Sequence, residues 1–246
     1  MANADCIVIQ GSNMAEAHPV GFQWVTEAKA RGAKVFHVDP RFSRTSAVAD
    51  KHVPIRAGSD IVLLGALINY VLTQEKWFRE YVVAYTNAAT IVNEDFRDAE
   101  DLDGLFSGYD EESGGYDMES WAYEPEPGSG SGGAGVGNGV AEDSAREDGA
   151  EASTEAAGQQ YGSGGPDVET HVPRRDETLQ HPRTVFQILK RHYARYTPEM
   201  VRDVCGIAPE DFDYLARSVT ENSGRERTTC FAYAVGWTQH SLGAQY

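Results

Sequence analysis

The residues able to carry chemistry fall into four short blocks: Gly11, Ser12, Asn13, Glu16 and His18; Asp39 and Arg41; Asp60; and Gly236, Trp237, Thr238 and Gln239. Their type is that of a binding rim: turn amides, carboxylates, an imidazole and a guanidinium, each set just beyond an apolar run or at a helix start. Turn amides and a helix N-terminus favour anions. Asp39 holds the place after a second strand that often takes a ribose hydroxyl. The dinucleotide fingerprint GxGxxG is absent, so an ordinary NAD site is not encoded. Each residue also has a plain reading: Asp60 as an N-cap, Asp39-Pro40 as a strand end, His18 before Pro19 as a polar turn.

The elements that must position these blocks read as follows. Cys6–Ile9 is a short apolar run of the kind buried in a parallel sheet. Gly11 and Ser12 break it, and Gly11 suits a turn with positive φ. Phe22, Val25 and Lys29, with Trp24 and Ala28 beside them, recur at helical spacing. Gly32 follows as a C-cap before the strand Val35–Val38. This is a βαβ unit of about thirty residues, for which a right-handed crossover is expected. Ser43 to Ala49 reads as one or two helical turns, and Lys51–Arg56 as a third strand, irregular at Pro54. Ser59 or Asp60 caps a buried helix over Ile61–Gln74. Glu75 to Tyr85 is expected to continue helically, with Trp77, Phe78 and Tyr81 packing. Helices are predicted over Pro182–Tyr196, from Thr197 and from Ala208. A strand over Arg227–Val235 runs into Gly236, repeating the grammar of the opening.

The chain of 246 residues has a formal charge of −17, placed very unevenly. Residues 94–177 hold 23 of the 38 acidic residues and only 4 of the 21 basic ones, so the remainder is near neutral. No net basic surface is implied, which disfavours nucleic-acid binding. Cys6, Cys205 and Cys230 are far apart and read as buried structural thiols; no zinc or iron–sulfur spacing occurs. The longest apolar stretch, Ile61–Leu72, is too short to span a membrane. No signal peptide is read at Met1. The expected organisation is an α/β domain over 1–92 and 178–246, with a Rossmann-like parallel sheet flanked by helices. An irregular surface excursion over 93–125 and a low-complexity acidic Gly-rich linker over 126–177, read as disordered over Glu126–Pro166, interrupt it.

With these segments in order, the chain resembles the catalytic subunit of molybdopterin-dependent formate dehydrogenases, and within them the membrane-associated respiratory branch. The likeness is carried by GSNMAEAHPVGFQWV (11–25), HVDPRFSRTSAVAD (37–50), IRAGSD (55–60), REYVVAYTNAATI (79–91), DFRDAEDLDGLFSGYD (95–110), PRTVFQILKRHYARYTPEMV (182–201) and GWTQH (236–240). The DLDGLFSGYD block is the most branch-specific.

The resemblance implies one incomplete domain holding a molybdopterin guanine dinucleotide, one of the two that grip molybdenum or tungsten. On this basis Gly11, Ser12, Asn13, Glu16 and His18 line the cofactor cleft. Asp39 and Arg41 face the guanosine and its phosphates, Asp60 reads the guanine, and Gly236, Trp237, Thr238 and Gln239 approach the pterin. A carboxylate accepting two parallel hydrogen bonds matches the adjacent N–H donors of guanine.

The family's metal ligand (selenocysteine or cysteine), its following histidine and its iron–sulfur cysteine motif are expected upstream of Cys6. The active-site arginine segment and a C-terminal barrel are expected beyond Tyr246. No residue of the chain is therefore expected to ligate metal or contact formate, and the chain alone is expected to be inactive. Implied partners are formate, the rest of the catalytic subunit, an iron–sulfur electron-transfer subunit and, as a further candidate, a membrane cytochrome subunit. The branch implies the outer, periplasmic face of the cytoplasmic membrane. Alternatives are a nitrate or sulfur-oxyanion reductase of the same superfamily, a catalytically dead module binding a nucleotide or partner, and a gene piece that does not fold stably alone.

Overall fold

The computed structural model describes residues 1–127 and 172–241. The greater part of the acidic glycine-rich insert, 128–171, lies outside the described residues. In chain order the elements are β1 (Cys6–Gln10), α1 (Met14–Ala17), α2 (Pro19–Ala30), β2 (Lys34–Val38), α3 (Arg44–Val48), β3 (Lys51–Val53), α4 (Asp60–Thr73), α5 (Arg79–Tyr85), β4 (Tyr109–Asp110), β5 (Gly115–Tyr116), α6 (Val185–Tyr193), α7 (Pro198–Met200), α8 (Pro209–Glu221), β6 (Thr229–Tyr233) and α9 (Val235–Thr238). The chain divides into two units, 1–78 with 190–246, and 79–189.

The first unit is α/β, built on a four-stranded sheet in the order β3-β2-β1-β6 with every pair parallel. The inner strands β1 and β2 are buried on both faces, as a sheet covered on both sides requires. Cys6, Val8, Phe36, Val38 and Val53 pack on one side with Leu63, Leu67, Phe212 and Leu215 of α4 and α8. Ile7, Ile9 and Val35 pack on the other with Phe22, Val25 and Ala28 of α2. The chain steps outward from β1 to β2 to β3, then returns to β1's other side as β6. The strand order therefore reverses at the carboxyl ends of β1 and β6, where ligands of open α/β sheets bind.

The second unit holds α5, short 3₁₀ turns, the two-residue hairpin β4–β5 and the start of α6. Polar backbone contacts join its strands of irregular chain. Ile91 N–H donates to the Arg174 carbonyl (2.9 Å), Arg174 N–H to that of Glu124 (2.7 Å) and Asp176 N–H to that of Ala89 (2.8 Å). Residues 172–177, which composition places in the linker, thus carry defined hydrogen bonds.

Several local readings are corrected. The helix predicted from Glu75 starts only at Arg79, because Glu75 takes a left-handed φ of 52° that stops the preceding helix. Phe78 and Tyr81, expected to pack, are exposed, as is Trp24. Strand β3 ends at Val53, before Pro54. Ser59 holds the N-cap position of α4 as expected, but its hydroxyl donates to the Arg56 carbonyl at 2.6 Å instead of accepting from the helix. The helix from Thr197 is one α turn followed by a π turn over Val201–Cys205, ending at Gly206 with φ 74°. Cys6 and Cys205 are buried, whereas Cys230 is only partly so.

Candidate functional site

At the strand-order reversal, two glycine blocks far apart in sequence meet backbone to backbone. Gly11 N–H donates to the Val38 carbonyl, and the Gly11 carbonyl accepts from Gly236 N–H, both at 3.0 Å. Gly11 has φ 61°, and a Cβ there would sit 2.7 Å from Gly236 Cα. Only residues without side chains allow this approach. Around the junction a cleft of about 80 Å³ is lined by Gly11, Val38, Asp39, Ile55, Asp60 and Gly236, with Pro40, Ala57 and His240. Four blocks read from the sequence thus contribute one or more residues to a single cleft.

Asp60 is 4% exposed. Its Oδ1 accepts from Gln10 Nε2 at 2.7 Å, which fixes the Gln10 amide and turns its Oε1 to a buried position without a hydrogen-bond partner. The loop delivering Asp60 is pinned from below. Arg56 N–H donates to the Cys205 carbonyl (2.8 Å), and the Arg56 guanidinium to those of Asp203 (2.9 Å) and Val204 (2.5 Å). Cys205 Sγ donates to the Ser59 carbonyl at 3.4 Å. The carboxylate is thereby held at the floor of the cleft rather than on a free loop.

The remaining predicted residues spread along the rim. Asp39 Oδ1 accepts from Arg41 N–H at 2.9 Å, closing the turn after β2. Asn13 is fastened on both sides: Oδ1 accepts from Thr45 Oγ1 at 3.0 Å and Nδ2 donates to Glu16. Glu16 pairs with Arg44 at 3.2 Å. Glu16, Arg41 and Arg44 line a separate open concavity with Phe42, Ser43 and Ala47. Trp237 stacks on Tyr233, ring centres 4.5 Å apart at 20°, and its Nε1 is buried without a partner. Ser12 is buried beside the junction, whereas His18, Thr238 and Gln239 are exposed and do not line the cleft.

Three contributors escaped the sequence reading. Gln10 reads as the polar end of a strand, yet it is buried against Asp60. His240 closes the chemistry-bearing block by one residue. His37, fully buried inside β2, bonds the Ser12 carbonyl (3.1 Å) and Ser46 Oγ (2.7 Å). Burial lowers its pKa, the nearby Asp39 carboxylate opposing. His37 gave no signal in the sequence, because it sits within the otherwise apolar, buried run of β2. Burial pushes the Cys6 thiol up to about 11 and raises that of Cys205, so neither is a ready thiolate.

Asp60 is the buried carboxylate that lines this cleft, an acceptor that matches a ring ligand rich in N–H donors. The cleft measures only about 80 Å³, so this fit is one of chemistry at its rim. The residues present therefore suit the guanine end of the dinucleotide better than its metal end, since none of the four blocks supplies a thiolate.

Residues 1–107 match the family model described as molybdopterin oxidoreductase. The chain is 43% identical over 244 residues to the formate dehydrogenase-O major subunit of Escherichia coli, covering 99% of this chain and 20% of that protein. It is 37% identical over 245 residues to the formate dehydrogenase subunit alpha of Megalodesulfovibrio gigas, again covering 20% of it. A nitrate reductase of Shewanella frigidimarina matches over only 87 residues, 35% of this chain, at 37% identity. The chain thus spans about a fifth of the length of the full-length matches. It belongs to the molybdopterin oxidoreductases, as a segment similar throughout to formate dehydrogenase major subunits.

Proposed function

We propose that this segment holds one molybdopterin guanine dinucleotide of a formate dehydrogenase catalytic subunit, with Asp60 reading the guanine. The buried Asp60 carboxylate, held by Gln10 and lining the cleft at the strand-order reversal, is the observation that carries this reading. Bound with molybdenum or tungsten, the cofactor pair supplies the two-electron chemistry that takes formate to carbon dioxide. The chain's own part is to bind and orient. Gly11 and Gly236 keep the cleft floor free of side chains, Asp39 and Arg41 stand at the ribose and phosphate side, and Ser12, Asn13, Glu16 and His18 border the turn. Trp237, Thr238 and Gln239 are assigned to the pterin side. Electrons would leave through iron–sulfur clusters outside this segment, toward an iron–sulfur subunit and a membrane cytochrome subunit at the periplasmic face.

The full-length similarity to formate dehydrogenases favours this reading over a nitrate or sulfur-oxyanion reductase, since the nitrate reductase match stops after about a third of the chain. Titration calorimetry of GDP and ADP against the 246-residue chain tests it. GDP is expected to bind at least about tenfold more tightly, a charge-assisted hydrogen-bond pair being worth that much. The variant Asp60→Asn, which still accepts from Gln10, is expected to lose the preference. Equal affinity for the two nucleotides in the unaltered chain would refute the assignment. Formate-dependent dye reduction by the chain alone is expected to be nil.

A further inference from the structure

We propose that His37 is a positioning residue that sets the turn after β1, through a one-way chain of hydrogen bonds joining that turn to α3. The direction of the chain follows from donor chemistry. A carbonyl can only accept, so the bond to the Ser12 oxygen (3.1 Å) places the imidazole proton on Nε2. Ser46 Oγ already accepts from Ser43 N–H at 2.9 Å, and it spends its own proton on His37 Nδ1 at 2.7 Å. The sequence of donors is Ser43 N–H, Ser46 O–H, His37 Nε2–H, Ser12 carbonyl. With a neutral ring it closes only in the Nε2–H tautomer.

The surroundings support that state. His37 is 0% exposed, and burial is the leading influence on its titration, downward. The groups facing it are the Asp39 carboxylate, 3.8 Å from Nε2, and the His52 ring, 5.8 Å between centres. His52 is itself tied by Nε2 to the Asp39 carbonyl at 2.8 Å.

The consequence lies in the peptide plane. A trans peptide points its C=O and the following N–H in opposite directions. Holding the Ser12 carbonyl inward on His37 therefore holds the Asn13 N–H outward, away from the sheet. Asn13 is fixed from its other side by Thr45 of the same α3 that carries Ser46. The turn is set by two clamps from one helix, one through the side chain of Asn13 and one through the buried ring.

The functional weight of this rests on the guanine-nucleotide reading of the cleft, so the test has a ligand-free arm. In ¹⁵N NMR of the full chain at pH 8, His37 is expected as the neutral Nε2–H tautomer. The Nδ1–H tautomer or a protonated ring at that pH would overturn the proposal whatever the chain binds. In the binding arm, His37→Leu removes both hydrogen bonds and is expected to weaken GDP binding about fivefold to tenfold. His37→Gln, which returns an N–H to the Ser12 carbonyl, is expected to recover most of the loss. Ser46→Ala, which leaves the ring and its packing in place, is expected to lose about threefold and covers the case in which His37→Leu fails to fold. Unaltered GDP affinity in Ser46→Ala, or no recovery in a folded His37→Gln, would show the ring to be packing only. Absence of GDP binding by the unaltered chain would instead strike the parent reading and leave the tautomer result standing.

Discussion

In the sheet unit β1 puts Cys6 and Val8 on one face and Ile7 and Ile9 on the other, all fully buried, and two separate apolar clusters form around them. Among the described residues of the 79–189 unit the buried apolar ones are few (Ile91, Val92, Leu179 and Phe186 with two alanines), and arginines do much of the joining. Arg79 donates to the Glu177 carbonyl at 2.6 Å, Arg183 to that of Val92 at 2.8 Å, and Arg175 to that of Val83 at 2.5 Å. Glu124 is held between Arg174 and Arg183. One unit draws on apolar burial, which is non-directional and insensitive to pH. The other draws on directional bonds between charged groups and backbone, whose worth depends on protonation. The same chain therefore contains two kinds of order with different weaknesses.

The largest expected effect that would sharpen this contrast is in the sheet. Phe36 is fully buried between α8 and β1, its ring 5.1 Å from that of Tyr214. Phe36→Ala is expected to cost about 3–5 kcal/mol in urea denaturation followed by circular dichroism. A loss below 1 kcal/mol would mean the sheet core is not what holds that unit.

A smaller effect is expected in the second unit, and only in acid. The Asp176 carboxyl is held down to about 2 by the Thr178 hydroxyl first, and also by the N–H groups of His181, Thr178 and Gln180. Because its folded pKa lies below the ordinary 3.8, its contribution is whole above that value and is lost as pH falls toward 2. For a partly exposed group this amounts to about 1 kcal/mol. Asp176→Asn should abolish the acid-dependent rise in amide exchange around Thr178–His181. An identical pH profile in both proteins would break the distinction between the units.

The smallest is at the surface of α8, where Arg217 and Asp213 pair at 2.9 Å, both half exposed. Arg217→Ala should change stability by less than about 0.5 kcal/mol. A larger change would show that exposed ion pairs also matter in the sheet unit.

The legibility of the sequence followed the same division. Runs such as CIVI and VFHV announced β1 and β2 because a sheet buried on both faces must be apolar at consecutive positions. Gly11, Asp39 and Gly236 were found because each stands where such a run ends, Asp60 because it opens a helix within the GSD segment of the resemblance, and all four line one cleft. Gln10 and His37 were not found, since a buried polar residue within a strand declares itself only through its partners, Asp60 in one case and Ser12 with Ser46 in the other. The helix expected from Glu75 failed on a backbone angle that composition does not register. The order of residues 172–177 comes from backbone bonds to residues 89–126, and such bonds leave no periodicity to read.

The sheet order also has a consequence in time. Strand β1 is flanked by β2, which follows it within thirty residues, and by β6, which is made much later. At ordinary elongation rates roughly two hundred residues take on the order of ten to forty seconds to synthesise. Through that interval β1, β2 and β3 can pair, but the far edge of β1 has no neighbour, and its side chains are the most apolar of the sheet. Contacts of such long sequence separation also slow folding itself. A nascent chain of this protein is thus vulnerable to association at β1 well before β6 exists.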